Sequence, residues 1–216
     1  MKILSLNLGT PKPLDVGDKI VPSAIDRNPV MGPVMLRQSG FDGDACASKM
    51  HGAPDGAVYA YSFTHYDYWA QELNRDDFSY GQFGENFTVE DMLEDDMFIG
   101  DEYRIGNATV MITGPRGPCY KLAAWFNQDR KSFVQRFLDS GRLGFYMRVL
   151  EEGTVEAGDT FEKQQAHPMG LSITALTRLR YDKTLDREAT EQALQNIGLA
   201  EEDRKALTSR LKRAAS

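Results

Sequence analysis

The sequence predicts a mainly β fold with some α structure, a closed or nearly closed barrel followed by a small unit of three short helices. Two patterns point to the barrel. Short alternating or apolar segments recur between Gly-, Pro- and Asn-containing turns, and helical spacing is confined to a few stretches. A third observation separates the helices: the composition shifts over Gln164–Gly170, where His167-Pro168 and Gly170 mark a linker. The expected division is therefore a barrel over residues 1–163 and a helical extension over 164–216.

The elements follow in order. Lys2–Leu8 alternates, with Leu4, Leu6 and Leu8 on one face, and reads as a first strand. Short strands are expected around Ser23–Asp26 and Val34–Arg37. Phe41–Gly56, rich in Gly, Asp, Ala and Pro without an apolar period, reads as a loop. Ala57–Ser62 returns to strand character. Thr64–Leu73 then has helical spacing that would bury Tyr66, Trp69, Ala70 and Leu73, with Thr64 as the expected cap and His65 on the exposed face. Asn86–Val89 is a short strand, and Glu102–Ile105 with Thr109–Thr113 a hairpin turning at Gly106-Asn107. Gly114–Pro118 breaks the chain. Beyond it Leu122, Phe126, Phe133 and Phe137 recur by four or seven, predicting a helix over Tyr120–Leu138. Gly144–Leu150 and Thr154–Phe161 are strand-like, with turns at Glu152-Gly153 and Gly158-Asp159. The extension reads as helices over Leu171–Leu179, Asp186–Ile197 and Glu201–Arg213. About fifty residues are marginal for independent folding, so this unit is expected to lean on the barrel or on a partner.

Composition narrows the function. The 216 residues are 41% hydrophobic and 26% charged, as in a soluble globular protein. With no run of eighteen apolar residues and no signal-peptide pattern, a cytoplasmic protein without a membrane partner is expected. A net charge of −7 argues against nucleic acid as the main partner. The extension alone carries nine Lys and Arg against seven Asp and Glu, but offers no evident base-reading helix.

Three stretches carry candidate chemistry. In Gly114-Pro115-Arg116-Gly117-Pro118-Cys119-Tyr120-Lys121-Leu122, two prolines and two glycines fix a sharp turn between strand and helix. Cys119 falls at the helix start, where free N–H groups, the helix dipole, Arg116 and Lys121 favour an anionic sulfur. Such a thiolate suits a soft metal or a nucleophilic role, and the alternative is a small buried hydrophobe. Cys46 has no basic neighbours and reads as incidental. The second stretch runs from Asp42-Gly43-Asp44 through Lys49-Met50-His51-Gly52-Ala53-Pro54-Asp55, where Lys49 and His51 could hold a phosphate or a pterin edge and the alternative is a solvated turn. The third, Phe83-Gly84-Glu85-Asn86-Phe87, suits close backbone approach to a ligand or an ordinary turn. By residue type, Cys119 with His51 also suits a Cys–His nucleophile pair. The sequence contains no zinc-ligand spacing, no serine-hydrolase elbow and no nucleotide-phosphate loop.

These stretches, in this order, resemble the MOSC domain family and within it the YiiM-like group. The matching residues are Gly43-Asp44, Lys49-Met50-His51-Gly52, Pro54-Asp55, Ala57-Val58, Phe83-Gly84-Glu85-Asn86, Ile99-Gly100-Asp101, Pro115-Arg116, Pro118-Cys119-Tyr120-Lys121-Leu122, Gly144-Phe145-Tyr146, Gly153-Thr154-Val155 and Gly158-Asp159. The resemblance implies a barrel holding a molybdenum cofactor, a metal–pterin group, with Cys119 as ligand to the molybdenum. It also implies reduction of N-hydroxylated compounds of the hydroxylaminopurine type from N–OH to N–H. Lys49, His51, Arg116 and Lys121 would hold the pterin phosphate and polar edges, while Asp55 and Asn86 would fix its amide or amine groups. His51, the histidine within a matching motif, is the candidate catalytic partner of Cys119. The sequence has no flavin, haem or iron–sulfur motif, so electrons are expected from a separate reductase, with the helical tail docking it or forming a homodimer. A cofactor carrier or sulfur-handling protein without turnover is the alternative. Ala53 stands where the family commonly has a second glycine, and Gly56 where it has Arg or Lys.

Overall fold

A computed structural model of the protein describes residues 1–45 and 54–214. Thirteen strands and six helices are formed by these residues. The strands are β1 Ile3–Leu8, β2 Lys12–Asp15, β3 Ile20–Ser23, β4 Asn28–Pro29, β5 Val34–Arg37, β6 Gly40–Phe41, β7 Val58–Ser62, β8 Phe87–Val89, β9 Glu102–Ile105, β10 Ala108–Pro115, β11 Phe145–Glu151, β12 Gly153–Val155 and β13 Glu162–Gln165. The helices are α1 Thr64–Leu73, α2 Tyr120–Trp125, α3 Arg130–Asp139, α4 Ile173–Tyr181, α5 Arg187–Ala193 and α6 Glu201–Ala214. No helix among them is long and apolar enough to cross a membrane.

Eight strands form one sheet in the order β13-β9-β10-β11-β7-β8-β1-β4, with β7 and β8 parallel and the remaining pairs antiparallel. The sheet curls far enough for its ends to meet. The segment just before β13 bonds the start of β1, through Ile3 N–H to the Asp159 carbonyl at 2.9 Å and Phe161 N–H to the Met1 carbonyl at 2.9 Å. The mainly β, barrel-like fold agrees with the sequence prediction. Inside it Ile3, Leu6, Val58, Phe87, Val110, Ile112, Phe145 and Met147 are fully buried. The inward set alternates in β10 and β11, but in β1 a bulge between Ile3 and Ser5 breaks the alternation, so that Ile3 and Leu6 are buried rather than the expected set of Leu4, Leu6 and Leu8.

The three C-terminal helices form as expected and share this core: Ile173, Leu176, Ala193, Leu199 and Leu207 belong to the same apolar cluster. A second, largely aromatic cluster lies outside the barrel wall. There Trp69 of α1, Phe83, Phe126 and Phe133 with Phe137 of α3 pack against Tyr59 and Tyr61 of β7. Trp69 Nε1 donates to the Tyr61 hydroxyl at 2.8 Å, so even its polar edge is satisfied.

Local structure departs from expectation at several places. The helix expected over Tyr120–Leu138 is two helices, because Asn127 takes a left-handed φ of 52° and Asp129 caps α3 by accepting from Ser132 N at 2.9 Å. Thr64 does not cap α1. The cap position is Phe63, and the Thr64 hydroxyl donates to Asp91 at 3.1 Å. His65 is not on an exposed face: it is buried, with Nε2 against the Glu94 carboxylate at 2.9 Å. Nothing apolar in the sequence announces that pocket, because the partner lies 29 residues away. The strand expected at Ser23–Asp26 falls earlier, as β3, where it pairs with β2. The strand expected over Thr154–Phe161 is split, with β12 joining β5 and the chain turning at Gly158 before β13. Gln164 and Gln165, expected in the linker, complete β13 on the edge of the main sheet.

Candidate functional site

The turn after β10 delivers Arg116, Gly117 and Cys119 to one end of the barrel. Cys119, in extended conformation, is the residue immediately before α2, as its position after two prolines implied. The residues of this turn line a cavity together with Tyr146 of β11, Tyr59 of β7, Asn86, Arg27, Asp44 and Lys121. Four of the expected site residues therefore meet: Asn86, Arg116, Cys119 and Lys121. Lys49, His51 and the incidental Cys46 lie outside the described residues.

Asp55 does not line the cavity. One carboxylate oxygen accepts from Arg148 Nε at 3.0 Å and the other from the Glu201 backbone N–H at 2.8 Å. Its negative charge sits where the first turn of α6 presents unpaired N–H groups, which makes it a helix cap contributed from outside the helix. Asn86 lines the cavity, but its side chain is committed to the protein. Its oxygen accepts from Tyr59 N at 3.1 Å and its nitrogen donates to Asp44 at 3.0 Å. The residue stitches β7 to the wall opposite.

That wall contains a pair the sequence reading missed. Arg27 donates to Asp44 from Nε at 3.3 Å and Nη2 at 2.8 Å, and from Nη1 to the Gly84 carbonyl at 2.6 Å. Asp44 also accepts from Gly9 N at 2.8 Å. The Gly84 carbonyl is presented by a loop wound around Glu85, which is fully buried and accepts from Gly81 N at 3.1 Å, Phe83 N at 3.0 Å, the Thr88 hydroxyl at 2.8 Å and Tyr66. Burial pushes the Glu85 carboxyl above its usual range despite these donors. The Gly84-Glu85-Asn86 motif thus acts through its folding of the wall.

Arg116 behaves differently. It is only 6% exposed, its guanidinium lies between the rings of Tyr59 (5.4 Å) and Phe137 (5.3 Å), and Nη1 has no hydrogen-bond partner among the described residues. Burial works against its charge, but the field of Tyr59, Tyr146, Cys119 and Tyr61 outweighs that and holds it above its ordinary value. A permanently charged donor beside an accessible sulfur is a receptor for an electron-rich group. Cys119 is half-buried, reachable from the cavity, and free of any disulfide. Lys121 adds a second cation whose ammonium now donates to the Pro22 carbonyl at 2.9 Å at the cavity rim. These donors fit a metal–pterin group with anionic oxygens: a soft thiolate for the metal, and fixed cations for the oxygens.

Comparison with known proteins agrees with this architecture. Residues 47–162 match the MOSC domain family. The chain is 38% identical to the uncharacterised protein YflK of Bacillus subtilis (strain 168) over 92% of its own length and 89% of that protein's. It is 37% identical to protein YiiM of Escherichia coli (strain K12), covering 65% of this chain and 63% of that one. A protein named Reductase from Gibberella moniliformis is 35% identical over 73% of this chain, which spans only 28% of that protein's length. The crystal structure of YiiM from Geobacillus stearothermophilus superposes with a TM-score of 0.82 at 31% identity, covering 97% of this chain and 98% of that one.

Proposed function

The chain belongs to the MOSC domain family, and we propose that its cavity holds a molybdenum–pterin cofactor with Cys119 as sulfur ligand, for the reduction of N-hydroxylated compounds. The observation that carries this reading is that a half-buried Cys119 lines the same cavity as a buried Arg116 whose Nη1 has no acceptor among the described residues. When bound, the cofactor would supply the two electrons and take up the oxygen as an N–OH group becomes N–H and water, with two protons consumed. The chain's own residues do the rest.

Arg116 is held against two rings, and its Nη1, unpartnered among the described residues, can orient an anionic group without breaking an ion pair seen there. Lys121 at the rim exchanges its carbonyl partner for a phosphate oxygen at little cost, since the ammonium is already near solvent. Arg27 and Asp44 neutralise each other and keep the opposite wall in place. The electrons would come from a separate reductase.

The test is turnover. Protein produced with molybdate and supplied with a chemically reduced viologen should convert 6-hydroxylaminopurine to adenine, and Cys119→Ser should not. Bound molybdenum without turnover on hydroxylamino-purines or other N-hydroxylated compounds would instead identify a cofactor carrier.

A further inference from the structure

The C-terminal helices share the barrel's apolar core and bond the barrel at two places: Ile173, Thr174 and Asn196 to the segment 94–99, and the start of α6 to the back of the strand end that leads to Arg116 and Cys119. The Ala200 backbone N–H donates to the Thr113 carbonyl at 3.1 Å, and the single proton of the Thr113 hydroxyl faces the carbonyls of Asp55 at 2.6 Å and Tyr146 at 3.0 Å. Asp203, on the first turn of α6, is 2% exposed and paired with Arg180 of α4, which also reaches Glu202 at 2.6 Å.

The Asp203 carboxylate rests directly on Gly114, where an added methyl would overlap it. The Tyr181 hydroxyl stands 3.3 Å from where a Cβ on Gly117 would lie. Neither glycine has a positive φ. Glycine at 114 is thus demanded by close approach of the helical unit rather than by backbone conformation, and a Cβ at 117 would press tightly on the Tyr181 hydroxyl.

A buried carboxylate is a costly way to fill such a gap. Burial pushes Asp203 up to about 6, against the opposing pull of Arg180 and with Glu202 and Asp55 adding to the rise. An apolar side chain would pack there without that cost, whereas a paired charge fixes one geometry.

We propose that Asp203, Arg180 and Tyr181 are positioning residues of the candidate site: the C-terminal unit braces the end of β10 at Gly114 and the following turn at Gly117 from behind, and so sets where Arg116 and Cys119 stand. The inference rests on reading the Cys119 cavity as the functional site, but the brace itself is measurable without cofactor.

The experiment uses the full chain, free of cofactor, in a Cys46→Ser background. Amide hydrogen exchange is read by mass spectrometry, and the rate of Cys119 alkylation by iodoacetamide is read alongside. Gly114→Ala forces the carboxylate away, Asp203→Ala removes it, and Asp203→Asn keeps its shape. Both alanine variants should speed exchange across residues 113–122 about tenfold and change the alkylation rate several-fold, with β1 and β8 unaffected. Asp203→Asn should stay near wild type. Equal acceleration in β1 and β8 would show a merely structural role and overturn the proposal. So would an unchanged turn and thiol in both alanine variants, or failure of both to fold.

Discussion

The two walls of the cavity are held in opposite ways. On one, every charged or amide group finds its partner within the protein: Arg27 on Asp44 and the Gly84 carbonyl, Asp44 on Gly9 and Asn86, Asn86 on Tyr59. On the other, a buried guanidinium nitrogen of Arg116 has no partner among the described residues and lies on the same cavity as a half-buried thiol. Burying a polar group without a partner costs stability, so a fold that tolerates it at one wall while satisfying everything at the other separates scaffold from receiving surface.

That contrast breaks first at Arg27. Arg27→Met leaves Asp44 nearly buried without its counter-charge and should lower stability by about 3 kcal/mol in urea titrations. A loss under about 1 kcal/mol would mean that this wall is not held by the pair.

Asp203, behind the turn, adds a second and pH-dependent contrast. Its carboxyl is raised from 3.8 to about 6, so the folded state holds the proton more tightly than the unfolded chain. Its contribution is therefore greatest when protonated and is lost as pH rises from about 4 to about 6. Asp203→Asn should be more stable than wild type at pH 7, by at most about 3 kcal/mol, with the gap closing by pH 4. Urea midpoints at the two pH values decide it. A variant less stable at pH 7 would show that the Arg180 pair outweighs the burial.

The smallest effect is expected at the open wall. Arg116→Met removes a charge that no carboxylate pairs with among the described residues, and should shift stability by under about 1 kcal/mol in the cofactor-free protein. A loss as large as that of Arg27→Met would place Arg116 with the scaffold.

How much of this was legible in the sequence follows from the range of the interactions. The cysteine at a helix start and the strands around Val34–Arg37, Ala57–Ser62 and residues 102–113 are local and appear close to where their residues implied. The break expected over Gly114–Pro118 begins only at Arg116, because β10 runs on through Pro115 in its pairing with β11. The split between α2 and α3 was also written locally, in Asn127-Gln128-Asp129, but the continuing apolar period of Phe126, Phe133 and Phe137 masked it. Arg27 with Asp44, and His65 with Glu94, join residues 17 and 29 apart, and no periodicity reports such a pair. The one available signal for Arg27 was its partner, since Asp44 in a loop expected on the barrel rim invites the question of what balances it. Asp55 was recognisable as a motif residue, but its commitment to Arg148 and to the start of α6 depends on how the C-terminal unit docks.

Whether the open wall receives a molybdenum cofactor is read from the molybdenum content, by elemental mass spectrometry, of the whole chain made with molybdate in a host that synthesises the cofactor. The wild type should carry near one molybdenum per chain, retained in a conservative substitution of the rim such as Lys121→Arg and lost in Cys119→Ser. A well-folded wild type without molybdenum would contradict cofactor binding there, and equal molybdenum in Cys119→Ser would contradict the assignment of Cys119 as ligand.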